Sequence, residues 1–120
     1  YGYLKPNNQN TLQSVMKHKR NSLLHNLGKA DITAHVNFAL LREFFEKNGL
    51  KVKDVITQKE FLEKMGIIQR AKIISKKMKF SEQSDLYVRL NRLLGSSYMG
   101  NLFKVIMAYE SRNKNFAGFE

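Results

Sequence analysis

The stretch Leu102 to Glu110 is apolar on both of its faces, and this constrains the chain more than any other feature. Phe103, Val105, Met107 and Tyr109 alternate one way, and Leu102, Ile106 and Ala108 the other, with Lys104 among them. Side chains of a strand alternate between faces, so such a strand needs cover on both sides, as inside an α/β sheet. The rest of the chain supplies little sheet to pair with it. Leu50 to Ile56 has β-branched residues and partial alternation and reads as a second strand. Two strands are marginal in water. The residues therefore point either to a sheet completed by other polypeptide or to a free-standing, mostly helical domain.

Helical signals occupy most of what lies between. Asn37 caps a helix whose apolar residues Phe38, Leu41 and Phe45 fall at i, i+3 and i+7, and Gly49 closes it. Thr57-Gln58-Lys59-Glu60 is a capping box that opens a short helix through Phe61, Leu62 and Met65 to Gly66. Ile67, Ala71, Ile74 and Met78 give a helix over 67–79. Ser81 or Ser84 caps another, striped by Leu86, Leu90, Leu93 and Leu94 and ended by Gly95. Residues 5–31 read as loop with at most one short helix: Pro6 to Asn10 is turn-prone, Met16 to Arg20 is a basic run, and Gly28-Lys29 breaks the chain.

The chain has 120 residues, one domain's worth, and a formal net charge of +11. Such a balance suits nucleic acid, an anionic surface or an acidic protein. Of the basic residues 15 are Lys and 6 are Arg, whereas readers of bases and phosphates favour the Arg fork. The absence of Cys excludes disulfides, thiolate metal sites and Cys nucleophiles. No apolar run reaches the roughly 18 residues that span a bilayer, so no membrane partner is expected. The chain opens without Met and without a signal-peptide pattern, which reads as a start within a longer protein or a trimmed one.

Chemistry-bearing patterns are few. The glycines lie at 2, 28, 49, 66, 95, 100 and 118, none spaced G-x-G, so no strand–glycine–helix cradle for a nucleotide-like cofactor is legible. His18, His25 and His35 show no metal-ligand spacing. The densest polar group is Asp31-Ile32-Thr33-Ala34-His35. In an extended chain Asp31, Thr33 and His35 point one way into a single pocket, suited to hydrogen-bonding a substrate or handling a proton. The same residues also serve as a polar lead-in to the helix from 37.

Several segments in order resemble the MidA-like family of S-adenosylmethionine-dependent methyltransferases, which includes the mitochondrial complex I assembly methyltransferase. They are Tyr1-Gly2-Tyr3, Thr11-Leu12-Gln13 with His18-Lys19, and Ala30 to Phe38 (Ala-Asp-Ile-Thr-Ala-His-Val-Asn-Phe). Thr57 to Leu62 with Met65-Gly66-Ile67, and Met99 to Val105, complete the set. The resemblance covers nearly the whole chain but only the last third of a family member. It departs at Asn37, where Asp is common, a change that keeps the cap.

The resemblance implies an α/β fold: the C-terminal part of a Rossmann-like class I methyltransferase, its last two strands carrying a helical insertion, with the cofactor-binding N-terminal half absent. It divides the chain into a cleft-lining loop segment (1–36), a helix and strand (37–56), the helical insertion (57–95), and a final strand and tail (99–120). It places Tyr1, His18, Asp31, Thr33 and His35 beside the substrate cleft and leaves the S-adenosylmethionine site outside this chain, with no metal expected. The implied parent methylates a protein side chain, with arginine the expected target, and its location is the cytoplasm or, alternatively, the mitochondrial matrix. The fragment is expected to be inactive alone and to partner the missing N-terminal half. A small basic module that binds nucleic acid or an acidic protein is the competing reading.

Overall fold

A computed structural model describes residues 2–4, 10–110, 112 and 115–120. The fold is mixed α/β. In chain order the elements are β1 (Gly2–Tyr3), β2 (Gln13–Met16), β3 (Lys19–Asn21), β4 (Asp31–Thr33), β5 (Val36–Asn37) and α1 (Phe38–Lys47). Then come β6 (Lys51–Val52), β7 (Ile56–Thr57), α2 (Gln58–Lys64), α3 (Ile67–Ser75), α4 (Phe80–Leu94), α5 (Met99–Leu102), β8 (Lys104–Val105) and β9 (Ala108–Tyr109).

The helix signals hold in detail. Asn37 Oδ1 accepts from the Leu40 amide at 3.0 Å, and Gly49 follows α1 at φ 80°. At α2 the Thr57 hydroxyl accepts from Glu60 N, and Glu60 Oε2 accepts from Thr57 N at 2.7 Å, so both halves of the capping box form. Two boundaries differ from expectation. The third helix stops at Ser75, whose carbonyl accepts from the Met78 amide at 3.1 Å and also from Gln83 Nε2, which donates to the Met78 carbonyl as well. Neither Ser81 nor Ser84 caps α4; Glu82 reaches back to the Lys79 amide at 2.8 Å, and the helix starts at Phe80, ahead of both serines.

The lead-in segment expected to be loop or helix is instead a small antiparallel sheet in the order β3-β2-β4. Met16 pairs with Lys19, so Lys17 and His18 alone make the turn, at φ 50° and 61°. Two consecutive left-handed residues are the signature of the tight hairpin turn whose twist matches its strands. Such turns usually carry Asn-Gly, and Lys-His in their place hid the hairpin. Ser14, only 1% exposed, anchors this sheet. Its hydroxyl accepts from Asn21 Nδ2, which also donates to the His25 carbonyl at 2.7 Å.

The two strands expected at 50–56 and 102–110 do pair, antiparallel and in two short ladders: Lys51↔Tyr109 and Val52↔Ala108, then Ile56↔Val105 and Thr57↔Lys104. Three residues (53–55) oppose two (106–107) between them, so a bulge splits each strand. Arg42 of α1 latches the bulge, donating to the Lys53 carbonyl at 3.3 Å and the Asp54 carboxylate at 3.2 Å. The final strand starts later than expected because Met99–Leu102 coil into α5. Gly100 makes that possible: a Cβ there would lie 2.2 Å from the Leu94 carbonyl oxygen.

α2 to α5 pack together as a helical layer over β7 and β8, while α1 lies on β6 and β1. Phe38, Ala71 and Leu94 are the buried apolar residues among those described. That is a thin core. The radius of gyration is 18.4 Å, where about 14 Å is usual for this length.

Candidate functional site

The strand β4 carries Asp31, Ile32 and Thr33 against β2, with Val15↔Asp31, Ser14↔Ile32 and Gln13↔Thr33 in register. Alternation puts Asp31 and Thr33 on one face together with Gln13 and Val15, and Val15↔Arg20 adds Arg20 from β3. The result is a polar face built of one acid, one base, a hydroxyl and an amide around Val15. Asp31 and Thr33 are exposed, and the Asp31 carboxylate makes no ion pair among the described residues. The expected same-face placement of Asp31 and Thr33 is what the strand delivers.

His35 stands differently. β4 ends at Thr33, and Val36–Asn37 join another ladder, pairing parallel with Gly2–Tyr3. His35 sits where the chain crosses between the two, so simple alternation no longer sets its direction. It is half-buried, and its amide donates to Thr11 Oγ1 at 3.2 Å. Gly2 permits the parallel pairing: a Cβ there would lie 2.0 Å from the Val36 carbonyl oxygen. Tyr1, the other residue expected here, lies outside the described residues. His18 is exposed in the hairpin turn, beyond the end of β4 rather than beside Thr33.

Sequence reasoning passed over Thr11, Gln13 and Arg20. Thr11 and Gln13 stand in the Thr11-Leu12-Gln13 segment, whose pairing partner only the fold reveals. Arg20 was legible as part of a basic run, but its place on the Asp31 face required the hairpin register.

The N-termini of α1, α2 and α4 are closed by their own Asn37, Thr57 with Glu60, and Glu82. Gly2, Gly95 and Gly100 press against this chain's own backbone, and Gly28 and Gly49, which have open space around them, occupy turns at positive φ. No three His, Asp or Glu side chains cluster at metal-binding distance among the described residues.

The fold and the segments that build this site match one class of protein, the S-adenosylmethionine-dependent methyltransferases. Residues 1–56 match the sequence profile of a family of S-adenosyl-L-methionine-dependent methyltransferases. Over 95 residues the chain is 34% identical to the mitochondrial protein arginine methyltransferase NDUFAF7 of Xenopus tropicalis, covering 78% of this chain and 22% of that protein. A crystal structure from Burkholderia thailandensis bound to S-adenosyl-homocysteine superposes with a TM-score of 0.77 at 25% identity, over 91% of this chain and 28% of that one. A native structure of a protein of the same superfamily from that organism gives 0.74 at 23%, over 90% and 29%. In sequence and in fold the chain is similar to the MidA-like family of S-adenosylmethionine-dependent methyltransferases. It spans about a quarter of the length of the relatives it matches.

Proposed function

We propose that this chain is the C-terminal, substrate-side portion of a protein arginine methyltransferase with a Rossmann-like class I fold. On this reading the methyl donor is held by polypeptide N-terminal to β1, and the chain has no activity by itself. The observation that carries the reading is the β4 face, with Asp31 and Thr33 on one side of the strand and Asp31 in no ion pair among the described residues, in a chain aligned with an arginine methyltransferase. A guanidinium is a planar fork of donors, and a carboxylate is the acceptor that matches it. Asp31 would orient the arginine, Thr33 and Gln13 would hydrogen-bond around it, and His35, its backbone pinned by Thr11, would accept a hydrogen bond or proton. When bound, S-adenosylmethionine supplies an electrophilic methyl group. The chain's own residues contribute position, which is most of what methyl transfer asks of a protein. The partners that follow are a protein substrate and the N-terminal half, and a mitochondrial location, in the matrix, is the reading that the mitochondrial Xenopus relative supports over the cytoplasm.

The test uses the full-length enzyme, labelled methyl donor and arginine-containing protein substrate. Asp31→Asn should lower kcat/KM by about a hundred-fold while donor binding is unchanged, and His35→Gln by a smaller factor. Wild-type turnover in Asp31→Asn would remove the β4 face from the substrate cleft.

A further inference from the structure

Helix α4 has a second apolar stripe that its packing does not use. Gln83, Leu86, Leu90, Leu93 and Leu94 turn inward toward the other helices, whereas Phe80, Tyr87 and Val88 are 87%, 53% and 58% exposed. With Ser84 and Asn91 these three recur at i, i+4, i+7, i+8 and i+11, one continuous line down the helix. Tyr87 and Asn91 also border a trough of about 290 Å³ between α3 and α4, floored by Ile68, Ala71, Leu90 and Leu94 and edged by Lys72. The stripe and the trough share a border and form a single apolar groove some four turns long.

The charge around this groove has one sign. Between Arg70 and Arg92 the sequence carries seven basic and two acidic side chains. Both acids are occupied: Glu82 caps the Lys79 amide at 2.8 Å, and Asp85 pairs with Arg89 at 3.2 Å. Among the described residues no acid lines the stripe or the trough. Lys72 on the rim, Lys76 and Lys77 at one end and Arg92 at the other enter no ion pair among the described residues. A second copy of the chain is a poor occupant, because antiparallel packing of two α4 helices would set Arg92 against the lysines before Phe80.

We infer that the α3–α4 groove docks an acidic amphipathic helix of a partner protein, whose apolar side chains fill the line from Phe80 to Asn91 and whose carboxylates meet Lys72 and Arg92. This is the helix-in-groove mode, in which apolar anchors supply affinity and flanking charge selects the partner. The inference does not depend on the methyltransferase reading.

The probe is a fluorescein-labelled amphipathic helical peptide, leucines on one face and glutamates on the other, titrated into the full-length protein and followed by anisotropy. Its Kd should lie at least ten-fold below that of the same peptide with lysines for glutamates, and should rise with salt. Tyr87→Ala and Lys72→Glu should each weaken it about ten-fold with circular dichroism unchanged. Equal binding of the two peptides overturns the proposal. So does tighter binding of a single-stranded oligouridine at the same salt, which would make the groove a nucleic-acid site. Absence of peptide binding together with a lower melting temperature in Tyr87→Ala also overturns it, since the remainder of the protein's own chain would then cover the stripe.

Discussion

The Glu60 carboxylate accepts hydrogen bonds from the Thr57 amide at 2.7 Å and the Thr57 hydroxyl at 2.8 Å, and these hold its pKa below the ordinary glutamate value. The amide contributes most and the hydroxyl next; burial opposes them, and Lys64 and Lys104 add lesser lowering effects. A carboxyl whose folded pKa is lowered stabilises the fold above its unfolded pKa, and that stability is lost as pH falls through the folded value. Removing the cap hydroxyl in Thr57→Ala should cost about 1 kcal/mol at neutral pH, read from urea denaturation of the full-length protein. Glu60→Gln should flatten the decline in stability below the glutamate range, and an acid limb identical to wild type would show that the box does not set it. Glu43 is also lowered, by its hydrogen bond with Lys47 at 2.6 Å, but that pair is fully in solvent and adds little.

At the scale of elements, the β2–β3 hairpin holds two non-glycine residues in left-handed backbone to turn the chain in two residues. Each such residue costs roughly 1 kcal/mol or more when it carries a Cβ. Lys17→Asn with His18→Gly replaces them with the pair this turn favours, and the full-length protein should gain about 1 kcal/mol in urea denaturation. The same variant examines His18 as a cleft residue. Unchanged methyl transfer with the stability gain confines His18 to the turn, while lost activity at higher stability would mean the strain serves the site. The bulge at residues 53–55 is a comparable device. It interrupts the strand pair where Arg42 reaches from α1, between the ladder under α1 and the ladder under the helical layer.

For the whole molecule, exposed area matters most. The chain exposes 9531 Å², where a compact protein of this length exposes roughly 6,700 Å². Leu40 and Phe44 on the outer side of α1 are 60% and 59% exposed, and β1 with β5 forms a two-strand parallel ladder, an arrangement that occurs within covered sheets. A protein with three buried apolar side chains among its described residues has little to offset the entropy of ordering its chain. The isolated 120-residue chain should therefore melt without a cooperative transition and bind a hydrophobic dye, and the full-length protein should melt sharply. A single sharp calorimetric transition of the pure monomeric 120-mer would contradict this.

What the sequence determined by itself is local. Asn37, Thr57 with Glu60, and the glycines at 49 and 66 act within a few residues of themselves, so their caps and stops are written where they operate. The two-faced strand and its partner at 50–56 were legible for the same reason, since alternation is a property of adjacent residues. The hairpin in residues 13–21 was not legible, because Lys17-His18 lacks the turn residues that announce one. The joining of Asp31 and Thr33 with Gln13 and Arg20 depends on strand register, which brings together residues up to 20 apart in the chain. The use of Glu82 rather than a serine to start α4, the bulge under Arg42 and the unused stripe of α4 were likewise decided by packing. Each depends on which neighbour a side chain meets, and only the tertiary structure fixes that.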